Sequence, residues 1–133
     1  WIGTRFVASR ESATPEWGKA RVIEASADDT VLTRAYDFAL ESPFPNWIGD
    51  RVLRNDYTNE WDGRDEEVIA RRQELQPQLN EAMQSGNVRL APIRAGNSSG
   101  LISEILPAGD IVRRIVAETE AILRSRPGQV LDG

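Results

Sequence analysis

The feature that most limits what this chain can fold into is its opening segment. Trp1-Ile2-Gly3-Thr4-Arg5-Phe6-Val7 is rich in aromatic and branched residues. It reads as a short buried strand over 1–8, interrupted by Gly3. An interior glycine in a strand often marks a close approach of the backbone to something else. The segments that follow offer this strand no obvious partner. Two readings remain open: it is an edge strand paired with 29–36, or its neighbours lie in sequence N-terminal to Trp1, so that the chain begins as though cut from mid-strand.

The rest of the chain reads as mostly helical. Thr14-Pro15-Glu16 opens a helix running to about Ala25, with Thr as cap, Pro in the first turn and an acid behind it. Asp29 to Tyr36 looks extended, and Pro43 and Pro45 make 41–47 a loop. Arg51 to Asn55 reads as a short helical turn. From Asp65 to Gln84 the apolar residues Val68, Leu75, Leu79 and Met83 share a helical face, with a break expected near Gln76 because Pro77 cannot donate its backbone hydrogen bond. Ser85-Gly86-Asn87 closes that helix, Val88 to Ile93 is extended, and 94–100 is a small flexible loop. The last helix follows Pro107. Ile111, Val112, Ile115, Val116, Ile122 and Leu123 form one apolar stripe on it, and Pro127-Gly128 ends it.

Composition narrows the chemistry. The 133 residues suit one domain, and the net charge of −5 argues against a nucleic-acid partner, which usually needs a basic face. There is no cysteine and no histidine. A disulfide scaffold, a thiolate zinc site and a cysteine nucleophile are therefore excluded, and the commonest general base is absent. No apolar run approaches the ~20 residues of a membrane span, and no signal peptide is visible. A cytoplasmic protein that binds neither membrane nor nucleic acid is expected. The carboxylate clusters Asp28-Asp29, Asp65-Glu66-Glu67 and Glu118/Glu120 read as solvated helix ends and faces. Asp28-Asp29 with Asp37 matches no metal-loop spacing, so no metal site is assigned. Trp1, Trp17, Trp47 and Trp61 are expected to be core and interface anchors.

Four fragments, in one order over nearly the whole chain, carry a resemblance. They are Gly3-Thr4-Arg5-Phe6 followed by Glu11 and a helix; Asp29-Thr30-Val31-Leu32-Thr33-Arg34-Ala35; Arg51-Val52-Leu53-Arg54-Asn55; and Ala95-Gly96-Asn97 with Gly100-Leu101-Ile102 and Pro107-Ala108 before the last helix. In these the chain resembles the C-terminal portion of the flavin-dependent nitronate monooxygenases, once called 2-nitropropane dioxygenases. The segment 56–87 matches less clearly, and Asn97 stands where glutamine is commoner.

The resemblance implies a fold class: α/β, the C-terminal part of a flavin-binding TIM barrel plus a small domain, the chain itself being mostly α with one or two short strands. Residues 1–27 would be the last barrel strand and its helix, 28–105 a smaller-domain segment, and 106–133 the C-terminal helix. The cofactor implied is FMN, with Ile2, Gly3 and Thr4 lining its phosphate. Barrels of this kind hold phosphate at the C-terminal ends of their late strands, where glycine admits close backbone approach. Read without the resemblance, Gly3 is a turn glycine. Gly96, Asn97 and Ser98 either lie over a substrate pocket or form a plain surface turn. Arg5 is expected to pair with Glu11 or another acid.

No catalytic residue is assigned, because the proton-handling histidine of the family has no counterpart here. The implied parent oxidises alkyl nitronates with molecular oxygen to carbonyl compounds and nitrite. An FMN/NAD(P)H-dependent enoyl reductase of the same barrel superfamily and a non-catalytic helical interaction module are the alternatives. The apolar stripe of the last helix, with Trp1, Ile2 and Phe6, implies that the isolated chain self-associates.

Overall fold

The computed structural model describes residues 2–45 and 47–131. Among the described residues the seven α-helices are α1 (Gly3–Val7), α2 (Glu16–Glu24), α3 (Ala35–Leu40), α4 (Asp56–Trp61), α5 (Asp65–Ala70), α6 (Arg72–Ser85) and α7 (Ala108–Leu131), with 3-10 turns at Ala27–Asp29 and Asn97–Leu101. Two strands, β1 (Thr30–Thr33) and β2 (Asp50–Leu53), pair antiparallel with Thr30 opposite Leu53 and Thr33 opposite Asp50.

The opening segment is helical, which corrects the strand expected over 1–8. The segment satisfies its backbone locally: Arg5 N donates to Ile2 O and Ser9 N to Phe6 O. Strand propensity in aromatic and branched residues expresses packing against neighbours, and here a single helical turn wins. The proposed pairing of 1–8 with 29–36 falls with it, because β1 pairs with β2.

Arg51 to Asn55, expected to be a helical turn, is extended instead at 51–53, which lie in β2. Pairing decides the matter from both sides. Leu53 N donates to Ile93 O at 2.9 Å and Ala95 N to Arg51 O at 3.1 Å, so 93–95 runs along the far edge of β2. The extended stretch expected at 88–93 is thus displaced toward 93–95.

Two apolar clusters flank this small sheet. One gathers Val31, Tyr36, Val52, Tyr57, Trp61, Val68, Leu75 and Leu79, so the helical face read from 68, 75 and 79 is buried as expected. The other holds Ala8, Val22, Leu53, Ile93, Ala95 and Ile102, with Trp17 against it. β2 serves both: Val52 enters the first cluster and its neighbour Leu53 the second, as alternation along a strand requires. Trp61 is a core anchor and Trp17 a partly buried one, whereas Trp47 is 81% exposed. Trp1 lies outside the described residues.

The helix over 65–84 breaks, but at Arg71 and not near Gln76. α6 continues through Pro77, and Arg71 takes the bend at φ −101° and ψ 13°. Its guanidinium lies 5.0 Å from the Trp61 ring centre and is paired with Glu74. α6 ends at Gly86, whose φ of +73° only glycine adopts at little cost. A methyl there would also come 2.8 Å from Trp17 Cδ1. α7 runs to Leu131 and so past Pro127-Gly128, where the sequence led us to end it.

Asn55 holds the pieces together. Its Oδ1 accepts from Thr58 N at 3.0 Å, capping α4, while Thr58 Oγ1 accepts from Asn55 N. Its Nδ2 donates to Ala91 O at 3.0 Å and Val88 O at 3.3 Å, and its amide also meets the Tyr36 hydroxyl, which donates to Leu90 O. One side chain thus joins β2, α4, α3 and the 88–91 turn.

Asn55→Ala should cost about 2–4 kcal/mol of stability, the sum of a lost cap and of carbonyls left without a donor; equilibrium denaturation with unchanged slope would measure it. Gly86→Ala should cost about 1–3 kcal/mol through backbone strain, with the close contact to Trp17 adding to it. Thermal unfolding of Gly86→Ala beside an exposed control such as Ser98→Ala would separate this from a general effect.

Candidate functional site

The residues singled out at the two ends of the sequence meet in space. Gly96 N donates to Thr4 Oγ1 at 2.9 Å, which brings the segment 2–4 to the loop 96–98. The contact is close, since a methyl on Gly96 would lie 3.2 Å from that same oxygen. Thr4 and Gly96 are half-buried, and Ile2, Gly3, Asn97 and Ser98 are exposed. Nothing lies within 4 Å of where a Cβ would stand on Gly3, so its backbone is open to approach.

The loop 94–100 was expected to be a small flexible loop. It folds as the 3-10 turn Asn97–Leu101, anchored at several points. Ser99 is fully buried, and its hydroxyl donates to Ser26 O at 3.1 Å. Gly100 packs on the backbone of Ala27, with only 3.0 Å between the position of its missing Cβ and Ala27 N. Ser26 is itself fastened, because Asp29 accepts from both its N–H and its hydroxyl. Those bonds hold the Asp29 carboxyl below the usual carboxylate range.

Arg5 does not pair with Glu11. Its guanidinium donates to the carbonyls of Glu104, at 3.1 Å, and Ala8, at 3.3 Å. Glu11 instead accepts from Ala108 N at 2.8 Å and so caps the start of α7. A one-residue parallel bridge joins Ser9 to Leu106, and Arg10 N donates to Leu106 O. α1 and the connector after it are therefore stitched to 96–108 along their length. Lys19 completes the frame: its ammonium is buried and donates to Arg10 O at 3.2 Å and to Glu16 at 2.9 Å. A shallow groove of about 220 Å³ lies alongside, between 101–106 and α7, with Arg5, Leu101, Glu104 and Ile115 on its walls.

Asp37, weighed in the sequence only as a cation ligand beside Asp28-Asp29, is not among the carboxylates read as solvated. It sits on α3 beside a cleft of about 170 Å³. Its Oδ1 is buried without a hydrogen-bond partner among the described residues. Burial pushes its carboxyl above the usual range, against the hydrogen bond from Ser42. A lone Asp followed by Phe and Ala in a short helix gives no sign of this, because the burial comes from packing.

Comparison with known proteins adds to this geometry. No protein-family profile matches the chain. A nitronate monooxygenase of Neurospora crassa is 30% identical over 122 residues, 90% of this chain and 31% of that protein. The chain resembles the nitronate monooxygenases. The solved structure of FabK from Thermotoga maritima is similar with a TM-score of 0.74 and 31% identity, over 96% of this chain and 38% of that one. The nitroalkane oxidase of Streptomyces ansochromogenes, 24% identical with a TM-score of 0.69, shares the fold over 92% of this chain and 33% of its own.

The chain thus spans about a third of the length of these relatives. The solved neighbours are TIM-barrel flavoenzymes, and the chain itself is mostly α with one two-stranded sheet, as its fold class predicted. No helix among the described residues is long and apolar enough to cross a membrane.

Asp37 gives a test by pH. Its raised folded-state pKa means that the folded protein holds the proton more tightly than the unfolded chain. Its contribution to stability is therefore fully present below the unfolded value and is lost as pH rises through the folded one. Asp37→Asn should melt above the native protein at pH 7, and the gap should close as pH falls through the carboxylate range. Calorimetry across that range checks the sign.

Proposed function

We propose that this chain is the C-terminal portion of an FMN-dependent oxidoreductase that oxidises alkyl nitronates with molecular oxygen to carbonyl compounds and nitrite. The observation that carries this reading is the 30% identity with the Neurospora nitronate monooxygenase, sustained over nine-tenths of the chain. Ile2, Gly3 and Thr4 would hold the FMN phosphate, and Gly96, Asn97 and Ser98 would border the substrate.

The residues suit an anionic group. The Gly3 backbone is unobstructed, no acidic residue lies in the first turn of α1, and the Thr4 hydroxyl proton has no acceptor among the described residues. The flavin, when bound, supplies the electron transfer and the oxygen chemistry. This chain's part is to bind and orient. Thr4 would donate to a phosphate oxygen, and the 3-10 turn 97–101 would present the exposed Asn97 and Ser98 to substrate. The chain contains no histidine. A proton acceptor for the nitroalkane would come from outside these 133 residues.

The exposed apolar stripe of α7 supports self-association of the isolated chain. Val112 and Val116 are about half exposed, as is Ile122, and Leu123 is 65% exposed. The 31% identity with FabK keeps a second reading in the same superfamily, a FabK-like oxidoreductase, for which an FMN- and NAD(P)H-dependent enoyl reduction is the reaction to test.

The deciding experiment uses the full-length protein reconstituted with FMN. Oxygen uptake and nitrite release on adding an alkyl nitronate, without NAD(P)H, are expected. NAD(P)H consumption with an enoyl thioester and no nitrite would replace this reading with the second.

A further inference from the structure

Thr4 occupies a chemical position that its role at a phosphate does not exhaust. A hydroxyl carries one proton and two lone pairs. In this structure one lone pair takes the N–H of Gly96 at 2.9 Å, and the proton is donated to no acceptor among the described residues. The oxygen is closely approached, since a methyl on Gly96 would lie 3.2 Å from it. The hydroxyl is therefore placed to accept from one loop while donating to something else.

Such an arrangement is cooperative. When a hydroxyl donates to an anion, its oxygen becomes more negative and a better acceptor for a third group. An anion on the proton side would thus strengthen the bond from Gly96 N on the other side. That bond is the first link of a series. Gly96 O accepts from Ser99 N at 3.0 Å, and Ser99 O accepts from Ile102 N at 2.9 Å. The buried Ser99 hydroxyl then ties the turn to Ser26.

We infer that Thr4 is a positioning residue that couples cofactor occupancy to the order of the 96–101 turn: its hydroxyl, donating to the flavin phosphate, tightens its hold on Gly96 N and so sets Asn97 and Ser98 in place for substrate. This rests on the proposed reading of residues 2–4 as a phosphate site. Removal of the cofactor loosens the turn at its Gly96 end while leaving the Ser99–Ser26 anchor intact.

The test compares the full-length protein with its Thr4→Val variant, which keeps the branched shape and removes the hydroxyl, and with Thr4→Ser, which keeps the hydroxyl. Each is followed by amide hydrogen exchange at Gly96–Ile102 with FMN bound and stripped. Fluorescence titration of FMN is run separately. In the native protein the Gly96 amide should exchange about tenfold faster once FMN is removed. Thr4→Ser should reproduce that difference, and Thr4→Val should exchange fast in both states at saturating FMN.

A native protein that binds FMN but shows no cofactor-dependent exchange at Gly96 overturns the coupling and leaves the phosphate site standing. Retention of the native difference by Thr4→Val, or its loss in Thr4→Ser, shows that the hydroxyl is not the link. Absence of FMN binding by the native protein, seen in the titration itself, overturns the phosphate site and the coupling together.

Discussion

The amide of Asn55 is the interaction on which the architecture depends. The two-stranded sheet is too small to stand alone, because a pair of four-residue strands needs packing on its faces to persist. Much of that packing comes from α3 between the strands and from the helices after β2, and Asn55 ties α3, α4 and the 88–91 turn at one point. Its oxygen caps α4, and its nitrogen binds the carbonyls that would otherwise be left open where 88–91 turns back toward β2. A side chain with both a donor and an acceptor is required here. Aspartate could cap the helix but would face the Val88 and Ala91 carbonyls with a negative charge, and leucine could do neither.

Much of this was readable in the sequence, and the misses share a cause. Helix faces with 3.6-residue spacing, such as Val68-Leu75-Leu79, reported themselves directly, as did the glycine at the end of α6. The failures are short segments whose state is decided by what lies beside them. Residues 3–7 carry strand-forming side chains, yet their backbone bonds close within the segment and they coil. Residues 51–53 include good helix formers but lie between β1 and 93–95, so they extend. Asn55 was visible as part of a motif, yet its hydrogen bonds span 36 residues of sequence and no local pattern states them.

The candidate site shows the same division. The residue types were legible: glycine and threonine where an anion could approach, small polar residues in a later turn. Their meeting was not, because the bond between Thr4 and Gly96 joins positions 92 apart. The run of Gly, Asn and Ser in the later turn also serves packing. Small residues permit close packing as readily as they permit motion, and here Gly96 and Gly100 allow the turn to lie against α1 and the Ala27 backbone.

Lys19 is the chain's only lysine, and its side chain is 3% exposed while its ammonium holds Arg10 O and Glu16. The positive side chains on the surface are arginines. Acylating labels, amine-to-amine cross-linkers and enzymes that attach groups to ε-amino nitrogens therefore find no accessible lysine target on the folded domain, and mapping its neighbours in a larger assembly falls to reagents directed at carboxylates or guanidinium groups.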